Sequence, residues 1–217
     1  MTPEVAGVLL AAGGGRRFGV PKALVEVGGR PLVERGATTL LAGGCRPVVV
    51  VVGAAAGIVR QRLDPAAGAT VVVNGAWREG LGSSLNLGLA EAEALGAAAA
   101  LVLPVDQPVV TAALVARLVG TWRAGSLAVR AAFGGQGRTP VVLDRTLWPA
   151  VRKSAVGDVG ARGLLGAHPE LVTLVDCDDV GAACDVDTPA DLEVVEDRYG
   201  GWLASASTTL GADMPER

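Results

Sequence analysis

The sequence predicts an α/β domain built on a mostly parallel sheet covered on both faces. Two observations carry this. Short, near-continuous apolar runs occur at Val5–Ala11, Pro47–Val52, Thr70–Val73 and Ala99–Val105, and stretches with helical spacing lie between them at Pro31–Leu41, Ala56–Leu63, Ser83–Leu95 and Thr111–Arg123. Strands that are apolar on both sides and alternate with helices belong to a parallel sheet with helices on each face. A third observation bears on function. The first run leads directly into LLAAGGGRRFGVPK, residues 9–22, and open α/β sheets bind ligands beyond the carboxyl ends of their strands.

The later elements are less regular. Ser126–Ala132 and Thr139–Leu143 read as strands flanking the turn FGGQG, followed by helices near Arg145–Lys153 and Val159–His168 and a strand at Leu171–Val175. A last helix starts at Thr188, where TPAD supplies an N-cap Thr, a Pro in the first turn and an early acidic residue. After Tyr199 the chain becomes small and polar, which predicts one domain over 1–199 and a loosely ordered, dispensable tail over 200–217.

Composition excludes several classes. At 217 residues the chain can bury a full core, and a net charge of −3 argues against a nucleic-acid surface. The longest uncharged apolar stretch, Pro47–Val59, is too short to span a bilayer and is interrupted by Gly53 and Gly57. The start, MTPEVAGVLL, lacks a basic region followed by a long apolar one, so no secretory signal is expected. Cys45, Cys177 and Cys184 are odd in number and have no metal spacing, which suits inert thiols in a reducing cytoplasm.

Three mechanisms compete for the glycine segment. A dinucleotide fingerprint needs G-x-G-x-x-G and an acidic residue on the second strand. Gly13, Gly15 and Gly19 are spaced one residue too long, and PVVVVVG ends without Asp or Glu. A Walker A loop needs Gly-Lys-Ser/Thr, but Gly19 is followed by VPK. The third is a nest of free amides around a polyphosphate, with Arg17 and Lys22 supplying charge and Pro21 fixing the backbone before Lys22. A solvated glycine turn with incidental basic residues is the bland alternative.

The segment LAAGGGRRFGVPK resembles the L-A-A-G-x-[GS]-x-R-x-G-x-P-K signature of the molybdenum cofactor cytidylyltransferase-like nucleotidyltransferases, matching at Leu10, Ala11, Ala12, Gly13, Gly15, Arg17, Gly19, Pro21 and Lys22. Phe18 stands where family members often carry Met. The resemblance implies a three-layer αβα, Rossmann-like sheet of the nucleotide-diphospho-sugar transferase type. It also implies transfer of an NMP unit to a phosphorylated small-molecule acceptor with release of pyrophosphate. Leu10 to Gly15, Gly14 included, would then cradle the nucleotide, and Arg17 and Lys22 would contact its phosphates.

Such transfer needs a divalent cation held by oxygen ligands. VDQP, after the fourth apolar run, resembles the family's metal-bearing D-x-P and makes Asp106 the first ligand for Mg²⁺. On general grounds an isolated Asp there is more commonly a turn or cap residue. CDVDTPAD resembles the family's D-x-D-T-P-E-D. Asp187 matches the metal position and Asp185 is the second choice, with helix capping as the competing role of Asp187. NGAWREGLGSSLNLGL matches the family's base-recognition segment and offers Gly80 and Ser84 as nucleotide contacts, while Ser83 fits an N-cap. GGQGRTPVVL and GDVGARGLL resemble substrate segments, which assigns Arg138, Pro140, Asp158 and Arg162 to the acceptor. Asp158 and Arg162 could instead simply pair across one helical turn. His168 is assigned nothing.

LAAG with PK, where guanylyl-type relatives carry LAGG with DK, favours CTP as donor and molybdopterin as acceptor. The methyl of Ala12 would narrow a base site toward a pyrimidine. Guanylyl transfer, or a sugar phosphate, methylerythritol phosphate or phospholactate as acceptor, are the alternatives within the class. A non-catalytic nucleotide or cofactor chaperone and an oxidoreductase are those outside it. A cytoplasmic enzyme with transient contact to a molybdoenzyme or its chaperone is expected.

Overall fold

The computed structural model describes residues 4–63 and 68–205. Seven strands form one sheet in the order β5-β4-β1-β6-β8-β7-β9. These are β1 (Val5–Ala11), β4 (Val48–Val52), β5 (Thr70–Val73), β6 (Ala99–Pro104), β7 (Ala128–Phe133), β8 (Gln136–Asp144) and β9 (Val172–Asp176). β1 pairs in parallel with β4 and β6, and β4 with β5. β8 runs against both β6 and β7, while β7 pairs in parallel with β9. A separate two-stranded hairpin joins β2 (Glu26–Val27) to β3 (Arg30–Pro31).

The apolar runs became strands because every residue of β1 and β4 is buried. Alternate side chains feed two cores. Leu9, Val50, Leu101 and Val142 meet α1 (Leu32–Ala42), α2 (Ala56–Gln61) and α4 (Ala112–Arg123) on one face. Val8, Val51, Val102 and Leu143 meet α3 (Leu81–Ala94), α5 (Trp148–Ser154) and α6 (Arg162–Ala167) on the other. The three-layer expectation is met. Contact is close enough that a Cβ at Gly88 of α3 would lie 2.4 Å from a Val8 methyl. In the hairpin β7–β8, Gly134 and Gly135 take φ of 56° and 75°, the two positive angles that a tight two-residue turn requires.

The expected boundary after Tyr199 is corrected. α7 runs from Pro189 to Ser205, and Leu203 is buried in a third core with Val25, Val27, Val186, Val195 and Tyr199. Arg35, itself buried, donates to the carbonyls of Val27 and Leu203, tying this helix to the β2–β3 hairpin. The seam joins a first-turn segment to the C-terminal helix, a pairing that short-range patterns cannot reveal. The rest of the expected tail, 206–217, lies outside the described residues. Among the described residues no helix is long and apolar enough to cross a membrane.

Candidate active site

The glycine loop leaves β1 at the carboxyl edge of the sheet. Leu10, Ala11 and Ala12 are buried, at 7, 1 and 4% exposure. They anchor the loop through main chain: Val105 N–H donates to Leu10 O at 3.1 Å and Ala54 N–H to Ala12 O at 3.0 Å. The methyl of Ala12 therefore belongs to the core rather than to a pocket wall, which removes the steric argument for a pyrimidine. Beyond it, Gly15 has φ of 61°, and its carbonyl accepts from Phe18 and Gly19; a Cβ there would collide with Val20 O at 1.8 Å. Gly14 lies against the ring of Trp77, where a Cβ would sit 3.2 Å from Cη2. Among the described residues, no amide from Gly13 to Arg17 donates to a protein acceptor. Such unpaired loop amides suit an anion.

Lys22 begins a short 3₁₀ turn, Lys22–Leu24, packed beside α1. Its side chain is not in open solvent: 17% of it is exposed. Nζ donates to Asp106 Oδ2 at 2.7 Å and to Asp187 Oδ1. Arg17 reaches Asp187 Oδ2 at 2.9 Å. Burial works against the Lys22 charge, but the bonds to Asp106 and Asp187 outweigh it and raise the pKa above the ordinary lysine value. Four residues predicted separately from three stretches of sequence thus share one cluster.

The two aspartates arrive by different routes. Asp106 sits in the turn after β6. Asp187 precedes α7, whose cap is made by others: Thr188 N–H donates to Asp191 Oδ2 at 2.8 Å and Asp191 N–H returns to Thr188 Oγ1 at 3.3 Å. This reciprocal box also takes the Asp187 N–H. The carboxylate of Asp187 is therefore free of capping and faces the cations. Asp185, two residues earlier, accepts instead from Gln107 Nε2 at 2.8 Å. Of the two late acids, Asp187 shares a partner with Asp106.

The segments read as base and acceptor contacts are joined to each other. Leu81 N–H donates to Asp158 Oδ1 at 3.2 Å and Gly82 N–H to Gly157 O at 2.8 Å, so the GDVGAR loop caps α3. Gly80, at φ 107°, permits this crossing; a Cβ would lie 2.6 Å from Gly157 C and O. Ser84 is buried and accepts from Asn74 Nδ2, as does Ser83. The i,i+4 pair of Asp158 and Arg162 is not formed: Arg162 donates to the Asp158 main-chain carbonyl at 2.9 Å because the Asp158 carboxylate is engaged at α3. Pro140 is buried in β8 and Arg138 is exposed on it.

Sequence reasoning passed over three residues here. Asn74, directly after β5, fixes both serines. Gln107 bridges Thr139 Oγ1, at 2.6 Å, and Asp185. Arg130, inside β7, donates to Gly137 O at 2.7 Å beside Arg138. Their signals were a polar residue at a strand's carboxyl end, one next to Asp106, and a charge inside an apolar run.

Cys45 and Cys177 are buried, and that burial pushes their thiols up to about 12 and about 11. Both are protonated and unreactive at neutral pH. His168 bonds Glu170 at the exposed end of α6.

A mostly parallel sheet flanked by helices, with this loop at its carboxyl edge, is the nucleotide-diphospho-sugar transferase fold. The chain belongs to the MobA-like NTP transferase family, whose domain matches residues 7–172. Nicotine blue oxidoreductase of Paenarthrobacter nicotinovorans is 43% identical over 196 residues, covering 86% of this chain and 93% of that protein. Rv0371c of Mycobacterium tuberculosis superposes with TM-score 0.77 at 24% identity over 91% of this chain and 100% of its own, and has also been solved with manganese. The 2-C-methyl-D-erythritol 4-phosphate cytidylyltransferase of Thermus thermophilus gives 0.65 at 25% identity over 89% of this chain and 98% of that one.

Proposed function

We propose that the protein transfers CMP from CTP to a phosphorylated acceptor of the molybdopterin kind and releases pyrophosphate. The observation that carries this is the convergence of Lys22, Arg17, Asp106 and Asp187 beside unpaired loop amides at the carboxyl edge of β1 and β6. Family membership and the cytidylyltransferase relative support the class.

The residues fit a hard divalent cation. Two carboxylates from distant segments meet at a point that already holds a positive charge, and both are partly exposed, leaving room for water and phosphate oxygens. Asp106 and Asp187 would hold Mg²⁺, which when bound neutralises charge on the triphosphate. The loop amides of Gly13–Gly15 orient the phosphates, and Lys22 and Arg17 offset the charge that grows on the leaving pyrophosphate. The acceptor's ionised phosphate oxygen forms a bond to the α-phosphorus while the bond to the bridging oxygen breaks. No proton has to move, so no general base is required. Gly80 and Ser84, the latter held by Asn74, shape the base side. Arg138 and Arg162, with Arg130, lend positive charge to the acceptor side, and Pro140 and Asp158 set the backbone there.

The 43% identity to a protein named nicotine blue oxidoreductase favours a second reading, an oxidoreductase acting on a dye of that kind. The overlong glycine spacing and a second strand ending in Val52-Gly53 count against a dinucleotide site. Incubation with each of the four NTPs, Mg²⁺ and a molybdopterin source separates the two. Pyrophosphate release with CTP is expected. NAD(P)H oxidation with a dye acceptor and no pyrophosphate would replace this proposal with the second reading, and neither activity would leave a non-catalytic binder.

A further inference from the structure

Two carboxylates are balanced here by one ammonium and one guanidinium. Lys22 Nζ stands between Asp106 and Asp187, and Arg17 takes the second oxygen of Asp187. We infer that Lys22 is an internal counter-ion that keeps divalent cations out of the Asp106–Asp187 pair until a polyphosphate draws it away, so that metal and polyphosphate enter by exchange of partners. The inference rests on the proposed reading of this site as one for a metal and a triphosphate.

The electrostatics argue for the coupling. A cation entering alone would meet Lys22 and Arg17 at the same carboxylates and leave a mostly buried ammonium without a partner, which is costly. A polyphosphate entering alone would pull both cations off and leave two neighbouring carboxylates uncompensated. Entering together, the cation takes the carboxylates and the anion takes Lys22 and Arg17, so no charge is stranded. Coupling of this kind is reciprocal and commonly amounts to about 5–150-fold in affinity. Geometry favours a swing of the side chain: Lys22 hangs from a short turn one residue past Pro21, and its four-carbon stem can redirect Nζ without moving the backbone.

Two measurements without nucleotide or turnover test this. Mn²⁺ binding at pH 8 is followed by the EPR signal of free Mn²⁺ in the wild type, Lys22→Met and Lys22→Gln, each checked for a native melting transition. Both variants are expected to bind Mn²⁺ about tenfold or more tightly than the wild type, and adding Asp106→Asn should abolish the gain. Tripolyphosphate binding in EDTA is followed by calorimetry; Asp106→Asn is expected to bind it more tightly than the wild type, because Lys22 then keeps only one of its two carboxylate partners, Asp187. Lys22 variants that bind Mn²⁺ no better than the wild type, or an Asp106→Asn variant that binds tripolyphosphate no better, would overturn the inference, even in an active cytidylyltransferase. The expected gains would uphold it even in a protein that releases no pyrophosphate.

Discussion

The backbone N–H of Val186 donates to the carbonyl of Asp106 at 2.9 Å. One main-chain bond therefore splices the segment before α7 onto the turn after β6, and the Asp187 carboxylate arrives beside that of Asp106. Gln107 reinforces the splice by reaching Asp185 and Thr139. The acidic pair is a product of this seam, and anything that loosens α7 should loosen the site.

The first prediction follows from that seam. Leu203→Ala removes a side chain that is 1% exposed and packed beneath the β2–β3 hairpin. A loss of about 2–4 kcal/mol is expected from chemical denaturation. Any transferase activity should fall with it well below the melting temperature, as Asp187 loses its support. Truncation after Tyr199 should be worse, since it also removes the Leu203 carbonyl that Arg35 uses. A full-strength truncated protein would show that α7 is not needed to place Asp187.

Gly80 tests the junction between α3 and the GDVGAR loop. Its φ of 107° with ψ of −175° is a conformation almost confined to glycine, and a Cβ would strike the Gly157 carbonyl. Gly80→Ala is expected to cost about 1–3 kcal/mol and to raise KM for the nucleotide more than it lowers kcat. An unchanged melting curve and unchanged KM would mean that the loop can move aside freely.

The buried thiols set an alkaline limit. An unfolded cysteine ionises near pH ~8.5, whereas Cys45 and Cys177 are pushed up to about 12 and about 11 by burial. The folded state then binds more protons than the unfolded one between those values. The contribution of these thiols is complete below the unfolded pKa and is lost as pH rises through the folded values. Denaturation midpoints should fall from about pH 8.5 upward, more gently in Cys45→Ala. An equal slope in the variant would show that the Cys45 thiol ionises alike in both states.

The donor base gives the last prediction. With one acceptor, kcat/KM for CTP should exceed that for GTP by roughly 10²-fold, the usual loss when a site's polar groups meet the wrong partner. Ala12→Gly should leave this ratio nearly unchanged, because the methyl lies in the core, and should appear instead as lost stability. A preference for GTP would refute cytidylyl transfer and leave nucleotidyl transfer standing.

The sequence alone determined the sheet's central strands, the helices between them and the glycine loop, because burial on both faces and helical period are local properties of the chain. It also offered Arg17 and Lys22 through the glycine-rich segment, and Asp106 and Asp187 through the resemblance of VDQP and CDVDTPAD to the family's motifs. Only the tertiary structure decided what those residues face. The resemblance ranks Asp187 above Asp185, but only the fold shows that Gln107 takes Asp185 and Lys22 takes Asp187. Asp158 and Arg162 look like a helical pair until α3 offers amides that the carboxylate satisfies better. Tyr199 looks like an end until Arg35, from the other end of the chain, is found holding Leu203. In each case the deciding partner is far away in sequence, and burial, which makes an unpaired polar group costly, selects it.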